Sequence, residues 1–275
     1  MKKICGAGNQ FRAEKAKGVL ESLRDNILKK RELLLDSVVF GFLTDRYASP
    51  VEARKTVGFA PTPIEVRDQK KTFVAKLALA VKEIIPNEMF TRRQVTLKGH
   101  FGSFDRNSGQ PYDNLIGSLN LLRRQTLEPN DILFLAETGD EKSEDVIALI
   151  NDIGGKKNFG ANWDTANLSL WGVDEDPIEY GKALAQAGIL RGVHIKGGTP
   201  PRKKENWGSE ISPQKEDITK WLAVLRSADC FDGAVIVERE MFLPAVSGSE
   251  PKGETQLEKA RGLKETLELI QTEMA

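Results

Sequence analysis

The chain has few of the residues that most often form disulfides or bind transition metals. It has two cysteines and two histidines in 275 residues. Cys5 and Cys230 lie far apart and show no CxxC spacing, so the sequence contains no local pair of zinc-binding thiolates. Two distant cysteines are typical of proteins from a reducing compartment. We therefore expect free thiols and a cytoplasmic location.

The chain also lacks an excess of charge and a long apolar segment. Forty basic and forty acidic residues give a formal net charge of zero, which argues against nucleic acid or an anionic membrane surface as a partner. No apolar segment approaches the roughly 20 residues of a membrane-spanning helix. Residues 1–6 have no apolar core of the kind found in a secretory signal. We expect neither a membrane nor a nucleic-acid partner.

Strand-like and helical segments alternate along the chain, which favours a parallel sheet covered by helices. Apolar spacing predicts helices at 11–34, 64–85, 112–125, 143–153, from 176, 215–227 and 254–274. Strand-like segments cover 37–43, 94–102, 131–138, 159–165, 192–196 and 234–240, and residues 44–63 resemble a long loop. This pattern predicts an α/β fold of the TIM (β/α)8 barrel type in one domain over residues 1–275.

The amino-terminal part fits this barrel poorly. A full barrel needs eight strands, and only about six clear ones can be identified. Residues 1–36 supply one helix and at most one short strand at 3–5. We therefore expect an irregular or shortened start over residues 1–36. An open sheet edge would favour a partner subunit, so a homo-oligomer is a further expectation.

Ionisable side chains end four successive strand-like segments. They are Glu137, Asp164, His194 and Glu238. The carboxyl ends of barrel strands open onto one face, so these side chains can converge. Three carboxylates and one imidazole suit a single Mn²⁺, Mg²⁺ or Co²⁺ better than Zn²⁺. In the alternative interpretation, each is a surface residue or an ion-pair partner of Lys196, Arg239 or Lys98.

From about Ser37 onwards, the sequence resembles the sugar phosphate isomerase/epimerase superfamily, the xylose isomerase-like TIM barrels. The resemblance rests on the order and spacing of five short segments: Gly99–Gly102, Phe134–Glu137, Asn162–Asn167, Val193–Lys196 and Asp232–Glu238. In relatives with this pattern, the groups that match Glu137, Asp164, His194 and Glu238 hold one metal ion. The resemblance therefore implies a metal-dependent isomerase or epimerase that acts on a small sugar or polyol.

The implied reaction is proton transfer next to a sugar carbonyl. A metal ion at the four residues would stabilise the enediolate as a Lewis acid, and Glu137 and Glu238 are the expected catalytic base and acid. Four further residues are expected to bind the substrate: His100, Asn167, Lys196 and Arg202.

Two alternatives remain open at this point. An inosose-type dehydratase, a lyase, is possible on the same scaffold because the same enediolate can expel a β-hydroxyl. A barrel that binds sugar without catalysis is the other alternative. The chain has Asn167 where many relatives carry a histidine. The DNA-repair branch of the superfamily uses several histidines in a three-metal cluster, and His100 and His194 alone cannot supply them.

Overall fold

The structure is a computed structural model that describes residues 13–42, 45, 50–60, 63–171, 173–197, 215–229, 231–238 and 256–274. Its helices are α1 (Ala13–Leu23), α2 (Pro50–Thr56), α3 (Ile64–Ile84), α4 (Gln110–Leu122), α5 (Ser143–Asp152), α6 (Asn167–Trp171), α7 (Pro177–Gln186), α8 (Lys215–Arg226) and α9 (Gln256–Met274). Its strands are β1 (Val38–Val39), β2 (Thr96–Gly99), β3 (Leu133–Glu137), β4 (Phe159–Asp164), β5 (Leu190–Ile195) and β6 (Val235–Val237).

The six strands form one parallel sheet in the order β1-β2-β3-β4-β5-β6. Neighbours in sequence are neighbours in space, as short β-helix-β connections favour. Among the described residues the arrangement is a parallel half-barrel of six strands, which confirms an α/β fold of TIM type. The central strands β3 and β4 are buried along their whole length, as their near-continuous apolar sequences predict.

The helices follow the predicted spacing closely. α3 buries Phe73, Val74, Leu77 and Val81 on one face, which are the positions that the apolar periodicity selects. α7 begins as predicted, because Asp176 accepts hydrogen bonds from the backbone N–H groups of Ile178 and Glu179 and Pro177 occupies the first turn. α1 and α4 each continue into a π-helical turn, at Arg24–Lys29 and Arg123–Leu127.

Two predictions near the amino terminus were wrong. Residues 44–63 were expected to form a loop, but they contain α2, whose short polar sequence gives little apolar periodicity. The predicted strand at 37–43 is reduced to the two residues of β1. Phe40 and Phe42 pack into an aromatic cluster with Phe59, Phe73 and Phe134 instead. The predicted strand at 3–5 lies outside the described residues.

The side of the sheet that faces the barrel interior can be traced through its register. Val39 pairs with Lys98, and Lys98 pairs with Leu135, so these three side chains share one face. Lys98 and Leu135 are fully buried there, whereas Val39 is 56% exposed. The interior is therefore open beside β1 within the part of the chain that the structure describes.

A single carboxylate connects the two edge strands. Asp36 precedes β1, and its Oδ1 accepts from the backbone N–H of Ala234, just before β6, at 3.3 Å. The same oxygen accepts from Arg92 Nη1 at 2.8 Å.

The described part of the chain contains no helix that is both long enough and apolar enough to cross a membrane.

Candidate metal centre

The four predicted ligands meet at the carboxyl ends of the strands. Each offers one donor atom, and these atoms all lie within 4.8 Å of one another: they belong to Glu137, Asp164, His194 and Glu238. Two oxygens bound to the same ion at 2.3–2.6 Å can be at most about 5 Å apart. The four donors therefore fit the space around one divalent cation, and three of the four residues are buried.

Each donor is delivered by a strand end. Glu137 and Asp164 are the last residues of β3 and β4. His194 lies one residue before the end of β5, and Glu238 directly follows β6. The register pairs Asp164 with His194, so the two side chains point to the same face. The backbone N–H of Glu238 also bonds to Ile195 O at 3.1 Å, which holds its carboxylate beside the imidazole.

His194 lies between two carboxylates. Its Nδ1 is 3.0 Å from Glu238 Oε2 and 3.5 Å from Glu137 Oε1. Burial alone would lower the pKa of this imidazole, but the two carboxylates outweigh burial and raise its pKa to about 9. Burial would also raise the pKa of Glu137, but the charges of His100, His194 and Lys196 hold it below its usual range. Nδ1 thus faces the other donors.

Asp164 is held by the turn that follows β4. Its Oδ1 accepts from the backbone N–H groups of Ala166 and Asn167, both at 2.9 Å. Its Oδ2 points to the centre and lies 3.0 Å from Lys196 Nζ. Burial raises the pKa of Asp164 despite the charge of Lys196. A fully buried carboxylate is costly unless it is paired or coordinates a cation.

Three of the donor atoms make no hydrogen bond and can therefore still bind a ligand. Asp164 Oδ2, His194 Nδ1 and Glu238 Oε2 are buried and make no hydrogen bond, although charged groups lie nearby. These contacts have ion-pair distances without the geometry of a hydrogen bond, and such buried atoms call for a further partner. The donor set and its unsatisfied atoms therefore fit a divalent metal ion.

Lys196 forms ion pairs with two of the carboxylates, as the alternative interpretation of the sequence expected. Its side chain is 1% exposed, and its Nζ lies 3.0 Å from Asp164 Oδ2 and 3.6 Å from Glu238 Oε2. Burial would raise the pKa of Glu238, but His194 and Lys196 lower it. Lys196 and a protonated His194 thus supply two positive charges against three carboxylates, and these five side chains keep a net negative charge for a cation.

The other predicted substrate-binding residues have different surroundings. His100 lies beside the centre, with Nε2 3.7 Å from Glu137 Oε2 and Nδ1 3.2 Å from Glu137 O. Asn167 is buried, and its Nδ2 donates to Thr138 O at 2.9 Å. That contact supports the turn carrying Asp164. Arg202 lies outside the described residues, and the substrate roles of the other three stay predictions.

Sequence reasoning missed the group behind His194. Lys98 on β2 is fully buried, with Nζ 3.4 Å from His194 Nε2 and 2.9 Å from Asp36 Oδ2. Burial lowers the pKa of this lysine. Lys98 was considered only as an ion-pair partner, although a lysine in the middle of a buried strand is a signal in itself. Thr138 was also missed, and its Oγ1 accepts from Asp164 N at 3.0 Å.

No protein-family profile matches this chain, and no curated protein sequence matches it. Solved structures do resemble it. A xylose isomerase domain protein from Planctomyces limnophilus is 21% identical with a TM-score of 0.71, and the match covers 95% of this chain and 83% of that one. A protein from Anabaena variabilis, designated a candidate sugar phosphate isomerase/epimerase, is 17% identical with a TM-score of 0.57 over 95% of this chain and 83% of that one.

A third similar structure is the mannonate dehydratase of Streptococcus suis. It is 12% identical with a TM-score of 0.58, and the match covers 99% of this chain and 84% of that one. At these identities the likeness concerns the fold. The fold of this chain is that of the xylose isomerase-like TIM barrels, in a form with six described strands.

Proposed function

We propose that this protein is a cytoplasmic, metal-dependent sugar isomerase or epimerase that moves a proton next to the carbonyl of a small sugar. One observation carries the proposal: three carboxylates and one imidazole converge within 4.8 Å at the carboxyl ends of parallel strands. Active sites of TIM barrels lie at this face. The xylose isomerase-like fold adds support from a group whose named members include isomerases and epimerases.

The metal would be held by Glu137, Asp164, His194 and Glu238. Oxygen-rich ligation favours Mn²⁺, Mg²⁺ or Co²⁺ over Zn²⁺. When bound, the ion would supply Lewis-acid polarisation of the substrate carbonyl. Asp164 and His194 are more deeply buried than Glu238, so they are best placed to anchor it.

Glu137 and Glu238 are the proton-transfer groups of this proposal. Neighbouring cations lower the pKa of both carboxyls, so both are ionised at neutral pH and one can accept a proton from carbon. If the same carboxyl returns the proton to the adjacent carbon, and the neighbouring hydroxyl gives its proton to the former carbonyl oxygen, the sugar is isomerised. If the other carboxyl protonates the original carbon from the opposite face, its configuration is inverted and the sugar is epimerised. Lys196 and His100 border this space and would donate hydrogen bonds to substrate oxygens.

Solvent isotope incorporation tests the reaction. The manganese-loaded protein is incubated in D₂O with a panel of aldoses and ketoses, and the products are analysed by mass spectrometry and NMR. We expect deuterium at the carbon next to the carbonyl in one sugar and its isomer or epimer. Glu238→Gln should lower that rate by at least about a thousandfold, or about 4 kcal/mol of activation free energy. The control Glu144→Gln changes an exposed glutamate on α5 and should leave the rate unchanged.

Two alternatives have specific support. A dehydratase is supported by the likeness to the mannonate dehydratase of Streptococcus suis, and it would release water and give an unsaturated or keto product. A sugar-binding protein without catalysis is supported by Lys196, which already offsets part of the negative charge. Elemental analysis separates the second alternative, because a non-catalytic barrel of that kind needs no stoichiometric metal.

We also propose self-association beside β1. Val39 is 56% exposed on the interior-facing side of the sheet, and unpaired strand edges favour pairing with another chain. Light scattering coupled to size-exclusion chromatography should give the mass of a homo-oligomer. A monomer at micromolar concentration would contradict this part of the proposal.

A further inference from the structure

Two of the candidate ligands are directly followed by a threonine. Glu137 and Asp164 are the last residues of β3 and β4, and the next residues are Thr138 and Thr165. Both threonines are buried, with exposures of 1% and 3%. A buried hydroxyl group needs a hydrogen-bond partner, and each of these two finds it on the next strand of the sheet.

Thr138 connects the end of β3 to the backbone of Asp164. Its N–H donates to Asn162 O at 3.1 Å, and its Oγ1 accepts from the N–H of Asp164 at 3.0 Å. In a regular parallel ladder, a residue donates through its N–H to the neighbouring strand and accepts through its carbonyl oxygen from a residue further along that strand. Here the hydroxyl oxygen takes the place of the carbonyl oxygen. The side chain therefore extends the ladder by one bond beyond β3.

Thr165 repeats this arrangement between β4 and β5. Its N–H donates to His194 O at 3.1 Å, and its Oγ1 accepts from the N–H of Lys196 at 3.0 Å. The same hydroxyl donates to Lys196 O at 2.9 Å. As with Thr138, the residue bonded through the N–H lies two positions before the residue bonded through the hydroxyl. The two strand ends thus share one bonding pattern.

Thr138 also supports the turn that orients the carboxylate of Asp164. Its carbonyl oxygen, which the hydroxyl replaces in the ladder, accepts from Asn167 Nδ2 at 2.9 Å. The N–H groups of Ala166 and Asn167 donate to Asp164 Oδ1. Thr138 thus holds Asp164 directly through its backbone N–H and indirectly through this turn. The second carboxylate oxygen, Oδ2, faces the centre, 3.0 Å from Lys196 Nζ.

Thr165 fixes the backbone of the lysine at the centre. Both the N–H and the carbonyl oxygen of Lys196 are bonded to the hydroxyl of Thr165. The ammonium group of Lys196 lies 3.0 Å from Asp164 Oδ2 and 3.6 Å from Glu238 Oε2. A ligand carboxylate and the cation beside it are therefore each held by a threonine from the preceding strand end.

We propose that Thr138 and Thr165 are positioning residues of the metal centre, in which Thr138 places Asp164 as a ligand and Thr165 places Lys196. They act through the residue whose backbone they bind. The inference rests on the proposed function, because it takes Asp164 as a metal ligand. The role depends on the hydroxyl group, so serine should fulfil it and valine should not.

Manganese binding tests the role of Thr138. Thr138→Val keeps the branched shape of the side chain and leaves the buried N–H of Asp164 without its acceptor. We expect the manganese dissociation constant, measured by calorimetry, to rise at least about tenfold. Thr138→Ser restores the hydroxyl and should stay within about threefold of wild type. The electron paramagnetic resonance spectrum of bound Mn²⁺ should change in Thr138→Val and return to the wild-type form in Thr138→Ser.

Thr96→Val is the matched control. Thr96 is a fully buried threonine at the first residue of β2, and its hydroxyl donates to Gln94 O at 3.2 Å. It lies at the amino end of its strand, so its loss should leave manganese affinity within about twofold of wild type. Thr138→Ala also lacks the hydroxyl and replaces the valine variant if that variant does not fold. Wild-type affinity without the hydroxyl, or a loss in Thr138→Ser as large as in Thr138→Val, would overturn the assignment.

Amide hydrogen exchange tests both threonines on the metal-free protein. Each hydroxyl accepts from one identified N–H group, so NMR should show at least about tenfold faster exchange of the Asp164 amide in Thr138→Val and of the Lys196 amide in Thr165→Val. Each variant should leave the other amide within about threefold of its wild-type rate. Unchanged exchange at these amides, or equal acceleration of both in either variant, would show that the hydroxyls do not position these residues.

The failures of the two proposals are distinguishable. If the wild-type protein binds no manganese, the metal-dependent function is overturned, and hydrogen exchange still decides whether the threonines position Asp164 and Lys196. If the wild-type protein binds manganese and Thr138→Val binds it equally well, the positioning role is overturned and the proposed function stands.

Discussion

Two clusters of charged side chains lie at opposite ends of the same strands, and they differ in how their charges are paired. The base cluster, at the amino ends, consists of Asp36, Arg92, Arg191 and Asp232. The mouth cluster, at the carboxyl ends, consists of Glu137, Asp164, His194, Lys196 and Glu238. Cations and anions alternate in the base cluster, whereas carboxylates predominate in the mouth cluster.

Their contacts differ in the same way. In the base cluster, Arg92 donates to Asp36 at 2.8 Å and to Asp232 at 3.0 Å, and it also bonds to Arg191 O. In the mouth cluster, three donor atoms make no hydrogen bond, whereas in the base cluster only Asp36 Oδ2 makes none among the described atoms. A network with paired donors and acceptors stabilises the fold, whereas a cluster with spare acceptors is suited to bind a ligand. Lys98 lies between them, within 3.4 Å of His194 and 2.9 Å of Asp36.

The largest expected effect concerns the base cluster. Arg92 has a side chain that is 1% exposed, and Arg92→Met would leave Asp36, whose side chain is 11% exposed, and Arg191 O without this donor. We expect the free energy of unfolding in urea to fall by about 3–5 kcal/mol, as for other broken buried ion pairs. Arg93→Met, at an exposed neighbour, is the control and should change it by less than about 0.5 kcal/mol. Equal effects would contradict a structural role for the base cluster.

The next effect concerns the mouth cluster. His194→Ala removes the nitrogen donor, and we expect manganese affinity to fall at least about a hundredfold, which equals about 2.7 kcal/mol. His100→Ala provides a matched control, because His100 contacts Glu137 but is not among the four donors. It should lower the affinity less than tenfold. Calorimetric titration with MnCl₂ measures both, and a larger effect of His100 would assign the nitrogen ligand differently.

A pH titration of the unfolding free energy tests how much the charge of Asp36 in the base cluster stabilises the fold. Burial raises the pKa of Asp36, but Lys98 and Arg92 outweigh it and lower the pKa to about 2. The unfolded chain has a value near 3.9. A lowered pKa stabilises the fold above the unfolded value, and this contribution of about 2 kcal/mol is lost as pH falls through 4 towards 2. The stability difference between wild type and Asp36→Asn should therefore shrink below about pH 5.

The control for this titration is Asp68→Asn, at an aspartate of α3 whose side chain is 54% exposed. Chemical denaturation at several pH values measures both variants. A difference between wild type and Asp36→Asn that stays constant from pH 7 to pH 3 would show that the charge of Asp36 does not stabilise the fold.

The smallest effect is expected for an exposed ion pair at the mouth. Arg54 and Asp140 lie 2.6 Å apart, but the arginine side chain is 47% exposed. Exposed pairs contribute about 0–1 kcal/mol because solvent screens them. Arg54→Met should therefore change the melting temperature by a few degrees at most. A loss of stability as large as that of Arg92→Met would mean that burial does not explain why the ion pairs of Arg92 stabilise the fold more than that of Arg54.

The sequence predicted the convergence of the four side chains better than it predicted the amino-terminal region. Each candidate ligand follows a segment with strong strand character, such as 131–138, and the parallel order of such segments brings their ends together. Lys196 was selected by its position just beyond His194, and its Nζ lies 3.0 Å from Asp164 Oδ2. Asn167 was selected through the family resemblance, and its side chain bonds to Thr138 O. Local patterns were sufficient because strand ends and ligands are adjacent in sequence.

What the sequence could not predict depends on long-range contacts. Asp36 joins Lys98, Arg92 and Ala234, which are 56 or more residues away along the chain. Nothing in the local sequence around Asp36 indicates those partners. α2 was missed for a related reason: it is short, and its position depends on Gly58 packing against Gly102. Tertiary contacts, not apolar periodicity, define both features.

The most direct test of the metal centre is a crystal structure of the protein grown with MnCl₂, with anomalous diffraction data for manganese. We expect one anomalous peak within about 2.0–2.6 Å of donor atoms from Glu137, Asp164, His194 and Glu238. Lys196 Nζ should then lie outside the coordination shell. A map without a peak at this position, with Lys196 Nζ still 3.0 Å from Asp164 Oδ2, would contradict a metal-dependent function.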